Sequence, residues 1–389
     1  MNFNPSNFIA SHLNKVPQSG IRKFFDVVVE MEGVISLGVG EPDFTTPWHI
    51  REACIHSIEQ GETAYTSNYG MLELREEISK KHNQRYGISY NSESEILITT
   101  GVSEALDIVI RTIVNPNDEI VVVQPSYVAY VPSIIFAGGV PICVSTLRED
   151  EFKITPEILE KSITEKTKAV IINYPNNPTG AVLSKKDLEE IADVIIEKDV
   201  MVISDEVYDC LTYNGKHTSF SEIKGMRKRA IILNGFSKSY AMTGFRIGYI
   251  MASSELINAM LLIHQYTMLC APITAQIGAI EALKYGDFEM EKMVREYNRR
   301  RHLIVKGLNK IGLDCFEPKG AFYAFPSIES TKLSSNAFSE KLLNEYKVAA
   351  VAGDVFGASG AGFLRCSYAT TRDEILIALD RIEEFIMGL

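Results

Sequence analysis

The chain has no apolar run long enough to cross a bilayer. Its longest, such as "RAIILNG" and "EIVVVQP", are strand-sized. The opening stretch "MNFNPSNFIASHLNKVPQSG" lacks a basic-then-apolar pattern, so no secretory leader is expected. The six cysteines (Cys54, Cys143, Cys210, Cys270, Cys315, Cys366) contain no C-x-x-C pair. Scattered thiols point to a reducing, cytoplasmic setting and away from a disulfide framework. The seven histidines are equally dispersed, and no metal site is expected. Positive charge is in deficit, 39 Lys and Arg against 50 Asp and Glu, for a net charge of −11. That balance disfavours nonspecific binding to nucleic acid or anionic membrane, and is also an ordinary aid to solubility. Internal repeats and low-complexity tracts are missing too.

What is there suits a folded protein with one large and one smaller domain: 389 residues, 46% of them hydrophobic. Short apolar runs recur at "EILITT" (95–100), "EIVVVQP" (119–125), "GVPICVST" (139–146), "KAVIINYP" (168–175), "VMVISDEVY" (200–208) and "RAIILNGFS" (230–237). Helix-sized segments fall between several of them, clearest in "GVSEALDIVIRTIV" and "SKKDLEEIADVIIEKD". This alternation predicts an α/β domain over 46–285, with a mostly parallel sheet covered by helices on both faces. From 286 the pattern changes to one long helix, "DFEMEKMVREYNRRRHLIVKGLNKIG". The strand-like "GAFYAFPSI" and "AGFLRCSYA" follow, then the helix "TRDEILIALDRIEEFIM". Residues 286–389 read as a smaller α+β domain, completed by the N-terminal segment 1–45.

Ligands of parallel α/β sheets sit beyond the carboxyl ends of the strands, so residues just after each strand are site candidates. They are Gly101-Val102-Ser103, Pro125-Ser126-Tyr127, Asn173 to Gly180, Asp205 to Tyr208, and Ser237-Lys238. "TTGVSEAL" puts small residues at a strand-to-helix junction, where free N–H groups and the helix dipole favour a phosphate. Capping by Ser103, with Glu104 in the first turn, explains the same pattern equally well. Arg246 is either a fork for that phosphate or a structural ion pair. Asp205, after the apolar "MVIS", is either a turn former or the partner of a cationic ring nitrogen. Tyr127 is either core or a flat face for a ring. A lone loop lysine is normally a solvated charge. In this company, however, a partly desolvated Lys238 near Arg246 fits an amine of lowered pKa that forms Schiff bases.

The strings "LGVGEPDF" (37–44), "AYTSNYGMLELREEI" (64–78), "GVSEALD", "PSYVAY", "NYPNNPTG", "SDEVYD", "GFSKSYAMTGFRIGY" and "LRCSYA" occur in one order along nearly the whole chain. In that order they resemble the class I/II aminotransferases, the aspartate/aromatic-like family of fold type I that uses pyridoxal 5′-phosphate (PLP). The resemblance implies that Lys238 holds the cofactor as a Schiff base and then carries the proton between substrate and cofactor. It implies Asp205 against the pyridine nitrogen, with Tyr208 and Asn177 at the ring's phenolic oxygen and Tyr127 stacked on the ring. The phosphate would be held by the Val102 and Ser103 backbone, the Ser103 and Ser237 hydroxyls and Arg246, which is read as lying on the strand after the lysine. Arg365 would bind the substrate carboxylate, helped by Asn177 and the Gly40 backbone. Tyr65 resembles the tyrosine that reaches the neighbouring subunit's cofactor phosphate, implying a homodimer with shared sites.

Some aspartate-using relatives carry a lysine in the phosphate-binding loop, where this chain has Ser103 and Glu104. No second cation for a side-chain carboxylate stands out; Arg22 is a candidate, and Ile21, Tyr65, Tyr127 and Tyr266 are candidate apolar walls. These suit an aromatic or other uncharged amino donor, with 2-oxoglutarate as a possible acceptor and aspartate or alanine as other donors. A C–S β-lyase on the same scaffold is the alternative. A nucleotide-binding protein is disfavoured, since "GVSEAL" provides neither G-x-G-x-x-G nor G-x-x-x-x-G-K-[ST].

Overall fold

The computed structural model describes residues 3–16 and 31–389. Twelve strands appear among them: β1 (Ile35–Ser36), β2 (Ile96–Thr99), β3 (Glu119–Gln124), β4 (Val140–Ser145), β5 (Thr167–Asn173) and β6 (Met201–Asp205) come first. They are followed by β7 (Ala230–Gly235), β8 (Gly248–Met251), β9 (Tyr323–Ala324), β10 (Val348–Ala349), β11 (Val351–Ala352) and β12 (Leu364–Ser367).

Seven strands form the central sheet in the order β2-β8-β7-β6-β5-β3-β4. The pairs from β4 through β7 are parallel, and β8 runs antiparallel to both β7 and β2. Parallel strands buried on both faces need apolar side chains on both. Consecutive residues accordingly feed different cores. Val170, Ile172 and Val202 join one cluster, while Ala169, Ile171 and Ile203 join the other.

Local signals start the covering helices where their hydrogen bonds require. Ser184 and Asp187 form a capping box before Lys185–Glu197, and Thr371 and Glu374 form one before Arg372–Met387. The long helix Asp287–Ile311 packs against Arg372–Met387; Gly307 leaves no room there for a side chain beside Leu379. A three-stranded antiparallel sheet, β11-β12-β9, lies in the same C-terminal third. Ile35 of β1 pairs with Val348 of β10, and Leu37 exchanges backbone hydrogen bonds with Ala349 and Ser367. Among the described residues no helix is long and apolar enough to cross a membrane.

Two local expectations are corrected. The run after Lys238 was read as a strand carrying Arg246, but β8 begins only at Gly248. Arg246 sits in the preceding turn at φ +52°, in the left-handed region. Of "GAFYAFPSI", only Tyr323 and Ala324 are strand.

Candidate active site

Register brings the strand ends together. Asn173 closes β5 directly opposite Asp205, which closes β6. Beyond these ends lies a cavity of about 490 Å³ whose wall includes Asp205, Tyr208, Lys238, Arg246 and Arg365. Gly40, Val102, Ser103, Tyr127, Asn177 and Ser237 also face it. These candidates, scattered between residues 40 and 365 of the sequence, thus meet in one place.

Lys238 is half-buried, and its Nζ donates to the Gly40 carbonyl at 2.6 Å. Burial lowers its pKa to about 8; Glu41 pulls the other way, and Arg365 and Arg246 add to the lowering. Asp205 is 5% exposed. One carboxylate oxygen accepts the Tyr130 hydroxyl at 2.7 Å and the other accepts the Val207 N–H at 3.2 Å. Burial raises its pKa to about 6 against the opposing pull of those two bonds. The turn-forming bond and the aim into the cavity are therefore both real. Tyr127 stands edge-on to Tyr130, with ring centroids 5.7 Å apart.

At one end of the cavity Arg365, 3% exposed, spreads its fork: Nη1 donates to the Asn177 side chain at 3.0 Å and Nη2 to the Gly38 carbonyl at 2.6 Å. Its buried Nε has no partner among the described residues. The guanidinium is sandwiched by Tyr323 and Phe356, 4.6 and 4.8 Å from their ring centroids. Tyr208 and Tyr323 share a hydroxyl–hydroxyl bond of 2.8 Å, and burial drives the Tyr208 pKa well up.

The other end is built for an anion. Helix Val102–Ile113 starts from Gly101, at φ +79°, and no side chain caps it. Ser103 is therefore not its cap, and the first amides stay open to the cavity. Glu104 instead accepts the Thr100 N–H and contacts His264. A Cβ on Gly101 would lie 2.7 Å from Arg246 Nη2, so the guanidinium lies against the helix start. Among the described residues Arg246 donates to the Thr243 carbonyl, at 3.1 Å, and to no carboxylate.

Two expected residues do not enter the cavity of this chain: Tyr65 and Tyr266 are 83% and 87% exposed. Ile21 and Arg22 lie outside the described residues. The sequence reading missed Tyr130, Tyr323 and Glu41. Tyr130 and Glu41 stood within quoted motifs, while nothing local to Tyr323 signals its partner 115 residues away. Among the described residues no group of three or more His, Cys, Asp or Glu is disposed to hold a metal.

One cavity thus gathers a lysine of lowered pKa, a buried acid, an open helix start and a buried arginine. The chain belongs to the aminotransferase family of class I and II, whose model matches residues 32–382. It is 50% identical to the putative aminotransferase YugH of Bacillus subtilis, over 98% of this chain and 99% of that one. It is 44% identical to aromatic-amino-acid aminotransferase 2 of Thermococcus litoralis, over 97% and 98%. The solved aspartate aminotransferase from Thermus thermophilus with maleate superposes with a TM-score of 0.92 at 36% identity, over 97% and 99%. The protein is a PLP-dependent aminotransferase.

Proposed function

We propose that this enzyme moves the amino group of an L-amino acid with an aromatic or other uncharged side chain to a 2-oxo acid. The observation that carries the reading is the charge inventory of the cavity. Among the described residues lining it, the cations are Lys238, Arg246 and Arg365, and each faces a duty of its own. None is left for a side-chain carboxylate, and Glu41 adds a negative charge to the same wall.

The residues fit the cofactor. The open start of helix Val102–Ile113, with Ser103, Ser237 and Arg246 beside it, suits a phosphate. Asp205, held by two donors and open toward the cavity, suits a protonated pyridine nitrogen. Tyr127 offers a ring face, and Asn177 and Tyr208 offer donors for the phenolic oxygen. Lys238 would hold PLP, which would supply an electron sink for the bond that breaks at the substrate α-carbon. Lys238 Nζ, as a neutral amine, would take the proton from the substrate α-carbon and hold it for return. Arg365 orients the substrate by its carboxylate, with Asn177 and the Gly40 backbone alongside. The unpartnered Nε and the donor pair of Arg365 support that role.

The protein is proposed to be a homodimer in which the exposed Tyr65 reaches the partner's phosphate. Residues 46–285 are proposed as the cofactor domain, with 286–389 and 1–45 forming a smaller domain. A cytoplasmic location is proposed from six cysteines that are all unpaired.

The test is to titrate the PLP-loaded protein with single amino acids, without acceptor, and to follow the cofactor absorbance. Aromatic amino acids should change the spectrum and a 2-oxo acid should restore it. Aspartate giving the larger response would overturn the substrate reading, and pyruvate accumulating without acceptor would mark a β-lyase.

A further inference from the structure

Gln276 lies on helix Ile273–Tyr285 and is completely buried, outside the cavity. Its amide has one acceptor and two donors, and all are used. Oε1 accepts the Met71 N–H at 2.7 Å, while Nε2 donates to the Ala271 carbonyl at 2.8 Å and to the Thr66 hydroxyl at 3.0 Å. The Met71 N–H and Ala271 carbonyl have fixed polarity, so they set which way the amide faces. Thr66 must then be the acceptor, leaving its own proton for the Ser67 carbonyl.

These bonds join two irregular segments. One, 60–71, runs between helices Trp48–Glu59 and Leu72–Tyr86 and carries Tyr65; the other follows helix Ser254–Thr267, near whose end stands Tyr266. A second bond ties them, from the Asn68 amide to the Leu269 carbonyl at 2.9 Å. Near its base the first segment is pinned: Ile98 N–H donates to the Tyr69 carbonyl, and a Cβ on Gly70 would run into Ile98. At the tip, the Thr66 hydroxyl is the nearest group to Tyr65 that receives a bond from outside the segment. Buried amides of this kind fix one geometry, because leaving any of their groups unpaired is costly.

We propose that Gln276, acting through the Thr66 hydroxyl, is a positioning residue that holds Tyr65 ready for the cofactor phosphate of a second copy of this chain. The inference rests on the shared-site reading above and adds to it the device that sets the reaching tyrosine. An exposed tyrosine on an irregular segment would otherwise lose side-chain and backbone freedom on engaging the phosphate. Pre-setting its neighbour reduces that loss.

The test compares cofactor release from the loaded full-length enzyme, followed by absorbance after dilution into a PLP trap. The variants are Tyr65→Phe, Thr66→Val, Thr66→Ser and the Tyr65→Phe/Thr66→Val pair. Thr66 is chosen over Gln276 because its replacement leaves the Ala271 and Met71 bonds standing. Tyr65→Phe is expected to speed release about tenfold, the effect of losing one hydrogen bond to a charged group. Thr66→Val should speed it about threefold or more, Thr66→Ser should match the wild type, and the pair should be no faster than Tyr65→Phe alone. Thr66→Val releasing at the wild-type rate while Tyr65→Phe is fast overturns the proposal, as does full additivity of the pair. A Tyr65→Phe enzyme that releases PLP at the wild-type rate overturns the shared-site reading itself, and this inference with it.

Discussion

Asp205 and Lys238 carry opposite formal charges into one cavity, and burial opposes both charges. For Asp205 the folded pKa of about 6 lies above its ordinary 3.8, so the folded chain keeps a proton that the unfolded chain gives up. Without cofactor, stability should therefore fall as pH rises from about 4 to about 6, by about 3 kcal/mol. Asp205→Asn should remove that decline in a pH series of melting temperatures, while costing the loaded enzyme about a hundredfold in turnover. A decline that survives the substitution would assign it to another group. Lys238 shifts the opposite way. Its pKa of about 8 means that the neutral amine, the form that condenses with an aldehyde, predominates above about pH 8. The rate of PLP capture by the cofactor-free protein, read by rapid-mixing absorbance, should rise with pH and level off above about 8. An inflection near 10.5 would mean that Lys238 is not desolvated. Lys238→Ala should abolish covalent capture and nearly all turnover.

Elements set what these residues meet. The anion end depends on β8 passing tightly under the start of helix Val102–Ile113. A Cβ on Gly248 would lie 2.8 Å from both the Gly101 carbonyl carbon and the Val102 nitrogen. Neither backbone atom moves cheaply, so Gly248→Ala should cost about 1–3 kcal/mol and weaken PLP binding about tenfold. Gly244→Ala is the control for stability, since nothing lies within 4 Å of its added Cβ. Equal melting temperatures for the two variants would show that the close approach is unimportant. The same element scale separates what the sequence revealed from what it did not. Strands β3, β5, β6 and β7 were legible because strands buried on both faces must be apolar throughout. The edge strand β4 is partly exposed and was legible only as a short apolar run. The start of β8 was not, because its four residues follow a turn rich in site residues that carries no periodicity. Asp205 and Lys238 were legible because the first ends an apolar strand and the second stands just beyond the end of another. The Tyr208–Tyr323 and Tyr130–Asp205 bonds were not, because they depend on register and packing across 115 and 75 residues.

At the scale of the whole molecule, the described residues bring three cations and two acidic residues to the cavity wall. Tyr65, read as serving a neighbouring copy, and Tyr266, a candidate wall residue, both stand outward, Tyr65 on a segment tied down through Asn68 and Gln276. If each copy lends Tyr65 to the other, a defect in Lys238 and a defect in Tyr65 belong to different sites of the dimer. Mixing Lys238→Ala subunits with Tyr65→Ala subunits then gives hybrid dimers with one site carrying both defects and one carrying neither. Dimers isolated with two different affinity tags should show about half the wild-type activity per dimer, and one tightly held PLP, although neither parent does. Hybrids no more active than the better parent would place both residues in the same site of one chain. That arrangement would require Tyr65 to turn inward from a position in which 83% of its surface is exposed. The substitutions leave buried packing of the Tyr65 segment untouched, so recovery of activity would report the sharing of sites and not repair of the fold.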